Sequence, residues 1–288
     1  MTTQTYHLEF LTPCFCAGAN QGQAELRASS IRGELRWWFR VLGGSAAEER
    51  DIFGGVQGET PTASKLLVRV RTDPGTGEKD WFAPNKIPRQ GMDRGAYLLG
   101  FFCGRTERLQ AGGALPPGST ATVCVILRQP AEKRLEQTLR LIFSVGGIGF
   151  RATRTAGSFT SKEHPLTQQA WDSLSSELSS TGFGSVLLPD KFSKWEHLVG
   201  HAGHLLKNRL RSKSEGLGIS AGRNGTSPNA LGSAEPRQAS AVHFRAVRID
   251  GILRLALLEP PHQKILGVQA QRAHGNRGSI LRLANLQS

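Results

Sequence analysis

The feature that most constrains this chain is the order in which two hydrophobic periods alternate between Tyr6 and Phe159. Residues 6–11 alternate apolar and polar, the period of a half-buried strand. Ile31, Leu35, Trp38 and Leu42 then recur at helical spacing. Ser29-Ser30 opens that helix and Gly43-Gly44 closes it. Residues 66–70 and 120–127 are rich in β-branched side chains and read as strands. Pro130 starts a second helix with Leu135, Leu139 and Ile142 facing inward. A glycine-rich loop and an extended run to Phe159 follow. Strand, helix, strand, strand, helix, strand is the order of a β-α-β-β-α-β unit. A Pro- and Gly-rich insertion near 72–118 interrupts it, with a further strand expected at 96–102.

The rest of the chain repeats the alternation less regularly. A strand is expected at 183–188. A helix is expected over 190–210, with Phe192, Trp195, Val199, Ala202 and Leu206 on one stripe. Residues 207–240 read as a long flexible loop carrying Lys207, Arg209, Arg211, Lys213 and Arg223. A hairpin over 242–258 turns at Asp250-Gly251. The expected domains are 1–160 and 161–288.

Composition narrows the class. The 288 residues carry a net charge of +13, and 38% are hydrophobic. That is enough apolar material for a core, and the basic excess points to a polyanionic partner, RNA or DNA before an acidic membrane surface. No apolar run reaches the roughly 18 residues of a membrane helix. The first residues lack a secretory pattern, and four cysteines do not make a disulfide framework. The expectation is a cytoplasmic protein with reduced thiols.

Two segments have the chemistry of a phosphate site. Arg32, Arg36 and Arg40 form a basic stripe on the first helix. Ser29 and Ser30 stand at its start, where free backbone N–H groups and the dipole favour an anion. Trp37 lies off the apolar stripe, as a stacking surface or a buried contact. The same residues equally serve an ordinary serine cap and a solvated basic face. The second segment is the loop from Gly146 to Ser158. Gly147 and Gly149 let the backbone approach a phosphate, and Arg151 and Arg154 add charge. Its Gly147-Ile148-Gly149-Phe150-Arg151-Ala152 fits a loose dinucleotide pattern, but the fingerprint needs a preceding strand and this loop follows a helix. No cofactor site is expected.

These segments resemble the RAMP superfamily of CRISPR proteins. Leu11-Thr12-Pro13-Cys14-Phe15-Cys16-Ala17-Gly18-Ala19 is similar to the superfamily's opening. Ser30-Ile31-Arg32-Gly33-Glu34-Leu35-Arg36 is similar to its S-x-[KR]-G-x-x-R helix. Ile52-Phe53-Gly54-Gly55 with Ser64-Lys65-Leu66 resembles the segment that follows, and the loop ending at Ser158 resembles its glycine-rich loop. The double aromatic Trp37-Trp38 is most similar to the Cmr-one subunits of type III-B (Cmr) effector complexes. The resemblance implies an α+β protein of two ferredoxin-like (RRM-like) domains, the second degenerate. It implies a subunit that holds the 3′ part of a guide RNA and helps engage target RNA in antiviral defence. Its partners would be guide RNA, target RNA and other RAMP subunits. No catalytic residue carries over. The RNA-binding set is Ser29, Ser30, Arg32, Arg36, Trp37, Arg40, Gly147, Gly149, Arg151, Arg154 and Ser158.

An alternative is a RAMP-fold endoribonuclease that processes guide RNA, for which His7, His164, His243 and His262 are the candidate bases. His197, His201 and His204 share one helix face, but no carboxylate or further ligand completes a metal motif, and a solvated or RNA-facing surface is expected there.

Overall fold

The computed structural model describes residues 1–20, 23–57, 60–73, 98–99, 114–212, 214–215, 217–219, 230–233, 238–274 and 278–286. These fall into two compact units. The first takes in the described parts of 1–73, 114–150 and 156–165, and the second takes in 98–99, 151–155 and the chain from 166 on.

The first unit holds a four-stranded antiparallel sheet of β1 (Thr2–Phe10), β2 (Leu66–Asp73), β3 (Thr120–Leu127) and β4 (Phe159–Ser161), in the order β2-β3-β1-β4. Alternation decides which face is covered. Tyr6, Leu8 and Phe10 of β1 are buried with Leu66, Val68, Val123, Val125 and Phe159, while Thr5, His7 and Arg69 point the other way and stay exposed. Helices α1 (Ala28–Val41) and α3 (Lys133–Val145) cover the apolar face. Ile31, Leu35 and Trp38 come from α1, and Leu135, Leu139 and Ile142 from α3, all nearly or wholly buried. Tyr6 stacks on Phe143 at 3.7 Å between ring centroids. Between α1 and β2 lies α2 (Ala46–Phe53), which opens on a capping box made by Ser45 and Glu48.

In the second unit, α4 (Gln168–Ser180) begins at Thr167, whose hydroxyl accepts the Ala170 N–H at 3.1 Å. It leads to β5 (Gly184–Phe192), α5 (Trp195–His204) and a π-type turn over Leu205–Arg211. Then β6 (His243–Ile249) and β7 (Ile252–Glu259) complete an antiparallel sheet in the order β6-β7-β5. Asp250 and Gly251 have φ of +48° and +82°, the two left-handed positions of a type I′ hairpin turn. A short C-terminal helix, α6 (Ile280–Leu283), ends the described chain.

The fold is thus mixed α/β with antiparallel sheets. The expected helix over 190–210 is corrected at its start, because residues up to Phe192 extend β5 along β7 as far as the Phe192–Leu253 pair. Pairing there outweighs helical periodicity. One residue of β7 separates Arg254 from Ala256, but three of β5 separate Lys191 from Leu187, so the strand bulges around Pro189. Proline has no N–H to leave unpaired at such a bulge. The strand expected over 96–102 lies outside the described residues, except that Leu98 and Leu99 are helical and buried. Most of the 72–118 insertion, with Lys213 and Arg223, also lies outside them.

Candidate nucleic-acid interface

Helix α1 starts earlier than its serines. Arg27 is the N-cap, in extended conformation and with no side-chain cap, and Ser29 and Ser30 sit inside the first turn. The Ser30 N–H turns back to the Arg27 carbonyl at 3.0 Å, while Ser29 is exposed. No acidic residue lies in this turn. The positive end of the helix dipole therefore meets no carboxylate of its own, which favours an external anion.

The basic stripe has a structural share. Arg32 donates to the Phe53 carbonyl and Arg36 to the Gly54 carbonyl, at the C-terminal end of α2 where carbonyls lack helical partners. Arg36 Nε also lies 3.2 Å from Glu49 Oε1, and its guanidinium sits 5.8 Å from the Phe53 ring centroid. Burial, with Arg36 alongside, pulls the Arg32 pKa down. Arg40 reaches Glu49 only at 3.6 Å and keeps over half its side chain in water. Trp37 is half-buried, edge-on to Trp38 at 5.6 Å.

The glycine-rich loop is held by main-chain bonds. Gly147 bridges to Ser158, Ile148 N–H donates to the Gly157 carbonyl at 3.0 Å, and Phe150 N–H donates to the Phe15 carbonyl at 2.8 Å. A side chain at Gly149 (φ +92°) would put its Cβ 2.5 Å from the Phe15 carbonyl oxygen. At Gly157 (φ +62°) the Cβ would stand 1.7 Å from the Ile148 oxygen. Both positions therefore need glycine. Arg151 (φ +63°) and Thr155 (φ +71°) are left-handed without being glycine, and Thr155 is β-branched and wholly buried.

Two expected contacts are turned inward. Arg154 is 6% exposed, and its guanidinium donates to the carbonyls of Leu231 and Val242 inside the second unit. Ser158 is fully buried, with its N–H on Thr12 Oγ1 at 3.0 Å. Ser29, Ser30, Arg32, Arg36, Trp37, Arg40, Gly147, Gly149 and Ser158 belong to the first unit, and Arg151 and Arg154 to the second.

The histidines separate by environment. His243 is buried, and desolvation with Arg245 and Arg154 beside it pushes its pKa well down. Burial also lowers His164. His262 Nε2 lies 2.7 Å from the buried Glu259, which also accepts the Ile280 and Leu281 N–H groups at the start of α6. Of the four candidate bases His7 is the exposed one, its Nδ1 2.6 Å from Glu163 Oε1. Partial burial works against the Glu163 charge. Bonds from the His7 ring, the Ser161 hydroxyl and the His7 N–H outweigh it and hold the carboxyl at about 2. On α5, His201 lies 3.7 Å from Asp190 and His204 contacts Asn208. Among the described residues no three His, Cys, Asp or Glu side chains gather as a metal site. Sequence reasoning missed Glu163, Glu259 and the exposed Phe150. Only Phe150 left a signal, an aromatic among glycines and arginines whose one large apolar neighbour within four residues is Ile148.

Antiparallel sheets backed by helices, a basic helix opening without acid, and a glycine-pinned loop define a class. The RAMP superfamily profile matches residues 7–160, more than half the chain, and the chain belongs to that superfamily. Within it, CRISPR system Cmr subunit Cmr1-1 of Pyrococcus furiosus is 29% identical over 177 residues, 54% of this chain and 44% of that one. Cmr subunit Cmr1-2 of the same organism is 26% identical over 171 residues, 53% of this chain and 91% of that one. The match therefore spans less than half of one relative and nearly all of the other. The crystal structure of apo Cmr1 from Pyrococcus furiosus shares the fold at a TM-score of 0.62 and 17% identity, over 100% of this chain and 94% of that one. A chain in the cryo-EM structure of a type III-B Cmr-beta complex bound to cognate target RNA follows at 0.50 and 12%, over 93% of this chain and 97% of that one.

Proposed function

We propose that this chain is a non-catalytic RNA-binding subunit of a type III-B CRISPR effector. In this reading it works in the cytoplasm, holds the 3′ part of a guide RNA and helps engage target RNA beside other RAMP subunits. The observation that carries the reading is the superfamily match over 7–160, which contains both α1 and the glycine-rich loop. The likeness to two Cmr1 chains supports the type III-B assignment. The sheet order β2-β3-β1-β4 with two helices on one face supports a ferredoxin-like first domain. The second is its degenerate counterpart.

RNA contact falls to the α1 opening (Ser29, Ser30), to Arg32, Arg36, Trp37 and Arg40, and to Gly147, Gly149 and Arg151. Arg154 and Ser158 act from inside by fixing the loop. Such contacts read backbone phosphates and leave sequence to guide pairing.

The test is purification of the tagged chain from its native host, with bound RNA sequenced and co-purifying proteins identified. CRISPR guide RNAs together with other RAMP subunits are expected. A second reading, the guide-processing endoribonuclease, rests on His7, the exposed one of the four candidate bases, whose ring Glu163 orients. Recovery of a free chain that cleaves repeat RNA, and loses that cleavage in His7→Ala, would replace the first reading with the second.

A further inference from the structure

Among the described residues, Phe150 is the one Phe, Tyr or Trp with more than a third of its surface exposed, at 49%. Phe10, Phe39, Phe53, Phe143 and Phe159 of the same unit stand at 2% or less. The main chain fixes the ring in this position. On one side is Gly149 at φ +92°, pressed against the Phe15 carbonyl so closely that no Cβ fits. Phe150 N–H donates to that same carbonyl at 2.8 Å. On the other side is Arg151 at φ +63°, a backbone state that costs a non-glycine residue energy and recurs at ligand-holding positions. A ring presented by a fixed backbone loses little freedom when a partner covers it.

The partner is argued from charge. The next residue is an arginine, the loop on the N-terminal side is glycine-rich, and the chain carries +13. That setting suits a nucleobase attached to phosphate better than an apolar protein surface. Any base has a face that stacks on an aromatic ring. We propose that Phe150 is a stacking platform for one unpaired RNA base, so that RNA held at this loop is single-stranded at that point. The inference rests on the RNA-binding reading above and adds the state of the RNA that this site takes.

The full chain would be titrated with a short oligouridylate and with a length-matched abasic ribose-phosphate oligomer, by fluorescence anisotropy. Wild type should bind the oligouridylate more tightly. Phe150→Leu keeps apolar bulk and should weaken it about tenfold while leaving the abasic polymer unchanged. Phe150→Trp should keep the affinity. Its added emission, over the five native tryptophans, should be quenched by oligouridylate and not by the abasic polymer. Urea midpoints check that each variant is folded. Phe150→Leu binding oligouridylate like wild type overturns the platform, also if that variant loses a protein partner instead. Equal wild-type affinity for both polymers overturns it and leaves RNA binding standing. No wild-type binding to either removes the RNA reading itself, and this one with it.

Discussion

Arg40 keeps 57% of its side chain in water, against 34% for Arg36, whose guanidinium holds the Gly54 carbonyl. The two therefore respond differently to truncation. Arg40→Ala should reduce the steepness of RNA affinity against salt by roughly one counterion. Its urea midpoint should stay within about 0.5 kcal/mol of wild type. Arg36→Ala should lower stability by about 1–3 kcal/mol, because a carbonyl at the end of α2 loses its donor. Identical behaviour of the two would remove the distinction. The stripe itself was legible from i, i+4 spacing, but its partners at 53 and 54 were not, since they are non-local in sequence. Glu163 yields a pH prediction. Its folded pKa, about 2, lies below the ordinary 4.5. Its contribution to stability is therefore present above about 4.5 and lost as pH falls towards 2. Glu163→Gln should flatten that part of a plot of urea midpoint against pH, and an unchanged slope would count against the His7–Glu163 bond.

The bulge in β5 shows why element boundaries were harder to read than element order. The apolar stripe from Phe192 to Leu206 has genuine helical period, and a strand ending inside it is decided by pairing with β7. Nothing local to residues 190–192 announces that partner. Arg254 closes the gap the bulge opens, with Nε and Nη2 on the Leu188 carbonyl at 3.1 and 2.9 Å and Nη1 on Gln168 Oε1 at 2.9 Å. Arg254→Ala should leave that carbonyl without its donor and lower stability by about 1–3 kcal/mol in urea unfolding. Arg254→Lys should recover only part, because an ammonium cannot make the forked contact. By contrast, the 120–127 strand and the Asp250-Gly251 turn were legible as they stand, because β-branched residues and a two-residue turn are local signals. The left-handed Thr155 was not legible, since its side chain argues against the conformation the loop imposes.

At the scale of the molecule, the +13 charge spread along the chain is what the sequence says most directly, and it speaks of a polyanion before any site is located. None of the described helices is long and apolar enough to cross a membrane. The order β2-β3-β1-β4 puts the N-terminal strand in the interior of its sheet, with Thr2 opposite Leu127 and Phe10 opposite Phe159. A chain cut before Thr120 keeps β1, α1 and β2 but lacks both of β1's neighbours. It should show no cooperative urea transition, and a two-state transition in that fragment would contradict the topology. On a ribosome, β1 is made before both of its sheet neighbours and is paired late. Its apolar residues, Tyr6, Leu8 and Phe10, wait on the order of ten seconds for Thr120–Leu127 to be synthesised. During that interval the nascent chain is an open strand that a chaperone, or a second nascent copy, is free to occupy.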